Sequence, residues 1–134
     1  MEIIRVRTEQ RSQLIDITRR VSAVVAASGV RAGVAVAQSL HTTAALTINE
    51  NADPDVVSDL VAKTAALIPH REAFYRHAEG NSDSHLKTSL FGPSLSVLVS
   101  DGELVLGTWQ GIYLCEWDGP RERKVAVQVL GSAG

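Results

Sequence analysis

The run His77-Ala78-Glu79-Gly80-Asn81-Ser82-Asp83-Ser84-His85-Leu86-Lys87 is almost bare of large apolar side chains. A chain of 134 residues has little sequence to spare from core building, so this run is either a surface loop or the wall of a site. Gly-Asn-Ser-Asp is ordinary turn chemistry and suits a loop. Two histidines bracketing that turn do not follow from a loop's needs. Eight residues of straight helix would hold them roughly 12 Å apart, and eight of extended strand roughly 26 Å apart. Neither spacing lets both rings reach one ion or one phosphate. If the histidines act together, the chain folds back between them, and Gly80-Asn81-Ser82-Asp83 is the segment able to bend.

The flanking sequence reads as short strands and a few helices. Residues 2–7 are β-rich and partly alternating, a first strand. Residues 14–18 form a short strand or the entry to a helix that runs from Thr18, as cap, to a left-handed stop at Gly29. Val21, Val24, Val25 and Ser28 share one face of it. A buried strand is expected over 33–40 and another over 44–50, with the polar break His41-Thr42-Thr43 between them. Asp53-Pro54-Asp55 is a strong helix start. Val56, Val57, Leu60, Val61, Thr64, Leu67 and Ile68 give that helix its apolar stripe, and Pro69 ends it. Leu86–Leu90 reads as a short helix closed by Gly92-Pro93. The last third is β by pattern, with a hairpin at Asp101-Gly102. A further pairing of 112–118 with 124–130 is expected across Gly119-Pro120-Arg121.

Length indicates one domain over 1–134. A net charge of −2 with mixed signs, and an aromatic share of 4%, exclude the basic stripe and stacking platforms of a nucleic-acid binder. No run approaches the roughly 20 apolar residues that span a bilayer, and Met1-Glu2-Ile3-Ile4-Arg5 lacks the pattern of a signal peptide. One cysteine, Cys115, forms no internal disulfide, so a cytoplasmic location is the simple reading. Its alternating apolar neighbours make it buried and inert.

Candidate chemistry centres on His41, His77 and His85. Neutral imidazole is the commonest metal ligand, and three with an open position suit a zinc-like site. Their spacing matches no compact ligand motif. Glu50, Asp83 and Glu79 are supplementary acids, and His70 is expected to face the end of the preceding helix. Lys87, Arg121, Thr42, Thr43 and the nearby serines are donors of the kind that hold phosphate oxygens. No P-loop or GxGxxG is present. Trp109 and Gln110 lie between Gly107 and Gly111, where an indole covers a ligand ring or fills a sheet corner. Glu116, Asp118 and Arg121 cluster near the last turn, as site residues or as a structural salt bridge.

Three blocks in order, His41 to Pro54, His77 to Lys87 and Gly107 to Arg121, resemble the YjbQ-type family over essentially the whole chain. The resemblance implies an α+β domain with antiparallel, sandwich-like sheets and two to three helices. It also implies a homotrimer, and a His- and acid-lined pocket that holds a divalent metal (Mg or Zn) or an anion. Members are described as secondary thiamine-phosphate synthases, joining hydroxymethylpyrimidine diphosphate to thiazole phosphate with release of pyrophosphate. Loss of pyrophosphate calls for cationic donors. His77, His85, Lys87 and Arg121 fit that role, with Asn81 orienting a phosphate or pyrimidine and Trp109 covering a ring. His41, His77, His85, Asn81 and Lys87 are the expected catalytic set. Thr42, Thr43, Trp109, Gln110 and Arg121 are the expected phosphate and substrate contacts, with Glu50 and Glu116 as second choices. A metal-assisted phosphohydrolase and a non-catalytic binder of an anionic metabolite are the alternatives.

Overall fold

Period-two alternation decides which faces the strands bury, and those faces decide the layers. The computed structural model describes residues 1–132. In chain order the elements are β1 (Glu2–Arg7), β2 (Gln13–Asp16), α1 (Thr18–Ser28), β3 (Gly33–Ser39), β4 (Ala44–Glu50) and α2 (Pro54–Leu67). They continue with α3 (Ser82–Phe91), β5 (Ser94–Ser100), β6 (Glu103–Leu104), β7 (Gln110–Glu116) and β8 (Glu122–Gly131). Two antiparallel sheets result, one in the order β1-β8-β3-β5-β6 and one in the order β2-β7-β4. No helix is long and apolar enough to cross a membrane among the described residues.

The sheets face each other. Ile4, Val6, Ala37, Val97, Val125 and Val127 from the larger sheet meet Ala44, Leu46, Ile112 and Leu114 from the smaller one, with Ile17 and Val21 at the α1 end. The opposite face of the smaller sheet carries Leu14, Ala45, Tyr113, Cys115 and Trp117, covered by Val57, Leu60 and Val61 of α2 and Phe91 of α3. β7 is therefore buried on both faces. Each fully buried Leu or Ile contributes about 1.5–3 kcal/mol. An exposed pair such as Arg5–Glu122, 3.0 Å apart on the surface, contributes about 0.2–1 kcal/mol. The sandwich is held by its interior.

The hairpin at Asp101-Gly102 forms, with both residues at positive φ (53° and 77°), as an Asp-Gly hairpin turn requires. The hairpin expected between 112–118 and 124–130 does not. β7 pairs with β2 and β4, whereas β8 pairs with β1 and β3. Residues 117–121 carry the chain from one sheet to the other, a distinction local alternation does not encode.

Helix starts and stops follow local chemistry closely. Asp53 accepts from Asp55 N at 2.9 Å, with Pro54 in the first turn. Gly29 takes the left-handed stop at φ 71°. Thr18 is the first residue of α1 rather than its cap; its amide and hydroxyl both donate to Asp16 Oδ1, at 2.9 and 2.6 Å. Of the expected stripe on α2, Leu67 is left 68% exposed, whereas Thr64 is buried and Val56, Val57, Leu60, Val61 and Ile68 are half-buried.

Gly33 sits opposite Gly131 in the β3–β8 ladder. A Cβ there would run into the Leu130 carbonyl, which is backbone and cannot swing aside. Gly33→Ala is expected to lower stability by about 1–3 kcal/mol, as overpacking does, read as a lower urea midpoint.

Candidate functional site

The fold-back between the histidines exists, one turn earlier than the sequence suggests. Gly80 N donates to His77 O at 3.2 Å, Gly80 takes φ 72°, and His70 Nε2 donates to Gly80 O at 2.9 Å. His70 thus pins this turn and does not serve the end of α2. Asn81 is the N-cap residue of α3, so Ser82 and Asp83 are helical rather than part of the bend. His85 then falls in the first turns of α3, and its ring meets that of His77 edge to face, centroids 5.3 Å apart at 85°. His77 Nε2 also lies 3.8 Å from Glu79 Oε2.

His41 follows β3 and points its Nε2 at β8, accepting from Lys124 N at 2.8 Å. A nitrogen that accepts carries no proton, so the neutral ring holds its proton on Nδ1. Burial, and then the charge of Arg123, push the His41 pKa below its ordinary 6.5. His41, His77, His85, Asn81, Arg121 and Arg123 line one cavity of about 490 Å³, with Thr42 and Thr43 beside them.

Two chains of hydrogen bonds set this cavity. Beneath it, the buried Glu116 carboxylate accepts from Thr8 Oγ1 at 2.7 Å, Arg123 Nε at 2.8 Å and Asp118 N at 3.0 Å. Arg123 Nη2 also reaches that carboxylate, and donates to Thr43 Oγ1 at 2.8 Å. Along one side, Asn81 Nδ2 donates to Asp118 Oδ2 at 2.8 Å. Arg121 Nη2 meets the same oxygen at 3.1 Å, while its Nε donates to Asp118 O at 2.9 Å. Asn81 therefore orients Arg121 through Asp118. Glu116 is a structural anchor.

Lys87 departs from its expected role. It is 2% exposed, with Nζ 3.2 Å from Asp83 Oδ2 and 5.5 Å from the centre of the Trp117 ring. Asp83 is gripped by the two terminal nitrogens of Arg11, Nη1 and Nη2, each at 3.0 Å. Burial pushes the Asp83 pKa upward, but hydrogen bonds from Arg11 and Lys87 and their charges outweigh it and hold the carboxyl below 3.8. Glu50, Trp109 and Gln110 lie away from this cavity. Glu50 pairs with Gln110 at the start of β7 and Ala44 with Glu116 at its end, a separation of about 20 Å for six residues of strand. Trp109 is 62% exposed, and Gln110 Oε1 accepts from Gly107 N at 2.8 Å. Cys115 is buried, and burial pushes its thiol up to about 12.

The donor set does not fit a three-ligand metal centre in this chain. Among the described residues no three His, Cys, Asp or Glu side chains converge. His77 and His85 stand together, but His41 Nε2 is engaged by the Lys124 amide, and Asp118 and Asp83 are held by their partners. Sequence reasoning missed Arg11 and Arg123. Arg123 had a signal: it shares strand parity with Val125 and Val127, which point inward.

Fold and site together define a two-sheet α+β domain with a histidine- and arginine-lined cavity beside the crossover between the sheets. The description "UPF0047 protein YjbQ-like" matches residues 2–132; the chain belongs to this family. The YugU protein of Bacillus subtilis is 44% identical over 131 residues, covering 98% of this chain and 99% of that protein. A crystal structure of a YjbQ/UPF0047 family protein from Clostridium acetobutylicum superposes with a TM-score of 0.95 at 47% identity, covering 97% of this chain and 100% of that one. A YbjQ-like protein from Sulfolobus solfataricus gives 0.94 at 34% identity, covering 98% and 96%.

Glu116→Ala leaves the buried Arg123 charge without its partner, a loss of roughly 3–5 kcal/mol. A large fall in the urea midpoint is expected, before any effect on chemistry. For Asp83 the folded pKa is depressed, so its stabilising contribution is complete above 3.8 and fades as pH falls through the folded value. Asp83→Asn is expected to be less stable at neutral pH and to show a shallower stability loss below pH 3.8 in acid titrations followed by circular dichroism.

Proposed function

We propose that the cavity binds a phosphorylated small molecule and that the protein is a cytoplasmic enzyme acting on it, with thiamine-phosphate synthesis as the candidate reaction. One observation carries this reading: three imidazoles and two guanidinium groups meet on one cavity of about 490 Å³. Arg121 is the cation best able to take a ligand, because its side chain is 52% exposed and already oriented by Asp118. Arg123 is committed to Glu116 and Thr43 and serves as the cavity's floor.

Negative charge grows on pyrophosphate as its bond to carbon breaks, and preorganised donors aimed at that charge lower the barrier. Arg121 supplies a planar fork for phosphate oxygens. His77 and His85 supply donors that neutralise the leaving group when protonated. His41 stays neutral and offers its Nδ1–H. A divalent Mg or Zn ion held by three histidines does not suit this donor set. Magnesium arriving on a diphosphate does, since a phosphate-bound Mg²⁺ keeps its own waters and needs few protein ligands. Assembly as a homotrimer belongs to the same reading.

The test is thiamine-phosphate formation by purified protein from the two phosphorylated precursors with Mg²⁺, beside Arg121→Ala, His77→Ala and His85→Ala. Turnover is expected to fall by about 10²-fold or more in each histidine variant, with the circular dichroism spectrum unchanged. Unchanged turnover in both histidine variants overturns the site. Phosphate release from one substrate alone would assign a phosphohydrolase, and saturable binding without turnover a binding protein.

A further inference from the structure

The larger sheet has a second face, turned away from the sandwich, that the reading above leaves unused. Where one side of an antiparallel sheet meets water, its outward positions read polar. Arg5, Arg7, Gln38, Ser94 and Ser96 follow that rule, alternating with the buried Ile4, Val6, Ala37 and Val97. One row breaks it. Leu98 lies opposite Val34 in the ladder, and Val34 opposite Leu130. Val105, just beyond β6, donates its amide to Leu98 O at 2.8 Å. Leu98 is 65% exposed, Leu130 52% and Val105 50%, and none of the four side chains joins a core cluster among the described residues. Val36 extends the row on the same face. Contiguous apolar surface rimmed by polar residues is the kind that marks a protein contact.

The same face runs into the polar cavity. Val34, Val36, Gln38 and Leu40 take alternate positions along β3 and its continuation, so they point the same way. Leu40 extends the ladder by donating its amide to Lys124 O at 3.1 Å. It is 47% exposed and lines the cavity beside His41. Val34 and Leu40 are roughly 20 Å apart, and a chain of this length is roughly 35 Å across, so one copy seated on the row has the reach to border Leu40. The row itself is uncharged. Arg5, Arg7, Glu122 and Lys124 stand off it over β1 and β8, and Glu103 stands at the opposite corner. Rows from two copies therefore meet without burying a charge. Five strands about 4.8 Å apart and six residues of about 3.3 Å make a face of roughly 480 Å² before side-chain relief. That is of the same order as the roughly 800 Å² each partner buries in a standard interface.

We propose that a second copy of the chain docks on this face and forms the wall of the polar cavity on its Leu40 side. The site is then shared between copies, and a lone chain holds it incomplete. This inference rests on the phosphate-binding reading of the cavity and on self-assembly. It adds where the copies meet and what their meeting does to the site.

Sedimentation of the parent protein beside Leu98→Lys and Leu130→Lys tests the face. Both positions are exposed in the single chain, so the circular dichroism spectrum is expected to stay unchanged. The parent is expected to sediment as an assembly and both variants as monomers. A monomeric parent, or variants that stay assembled, overturns the proposal. Leu40→Cys tests the wall, because the native thiol, Cys115, is buried. Its reaction with a disulfide reagent is expected to run about tenfold faster when Leu98→Lys is added, since access limits the rate. Equal rates overturn the shared wall. Titration with methyl phosphate reads the site itself. Affinity is expected to fall about tenfold in Leu98→Lys, roughly 20 Å along the face from Leu40. Unchanged affinity in that monomer overturns the shared site and leaves the phosphate reading intact. An assembled parent that binds no methyl phosphate overturns the phosphate reading, while sedimentation and the thiol rates still decide the docking face and its wall.

Discussion

The buried pair of Glu116 and Arg123 is the contact on which the molecule's arrangement turns. Its partners stand at the end of β7 and the start of β8, strands that belong to different sheets. Taking two charges out of water costs several kcal/mol per ion, and mutual attraction offsets this only when the remaining hydrogen-bonding positions are filled. Here they are filled, by Thr8, Thr43 and the Asp118 amide. Each of these comes from a different part of the chain. The pair is satisfied only when the crossover, the end of β1 and the 41–43 segment are all in place, so it selects one arrangement rather than simply adding strength.

The cavity inherits its geometry from that junction. Arg123 forms its floor because Glu116 fixes it, and Thr43 is held by the same guanidinium. The crossover itself delivers Asp118 and Arg121, and Asn81 ties them to the start of α3. A second group, the half-buried Arg11 with the buried Asp83 and Lys87, anchors α3. The helix that carries His85 is thereby fixed at both its cap and its buried face. The histidines are mounted on rigid elements, although the chain around them reads as loop.

Much of this was legible in the residues. The strands, the Asp101-Gly102 hairpin, the start of α2 and the stop of α1 follow from local chemistry, and the structure bears them out. So does the need for a fold-back between His77 and His85. What was not legible is long-range. Alternation shows that 112–118 and 124–130 are strands but not which sheet each joins, and so the wrong hairpin was expected. Lys87 and Asp83 looked like site residues because charged side chains in a polar run ordinarily face water. Arg11, which grips Asp83, lies 72 residues from it, beyond the reach of any local pattern. Trp109 and Glu50 belong to motif blocks that also hold cavity residues, yet β7 carries them to its far end.

The hydrogen bond from the Lys124 amide to His41 has a further consequence for proton traffic. An imidazole relays protons by taking one at either nitrogen and releasing one from the other, and it needs both nitrogens free to do so. In His41 one nitrogen is committed to the backbone of β8, so the ring is a dead end for conduction. The other two imidazoles of the cavity, His77 and His85, stand ring to ring, with the exposed Glu79 carboxylate 3.8 Å from His77. The three histidines of the cavity are therefore not equivalent toward protons, and a single main-chain amide sets the difference.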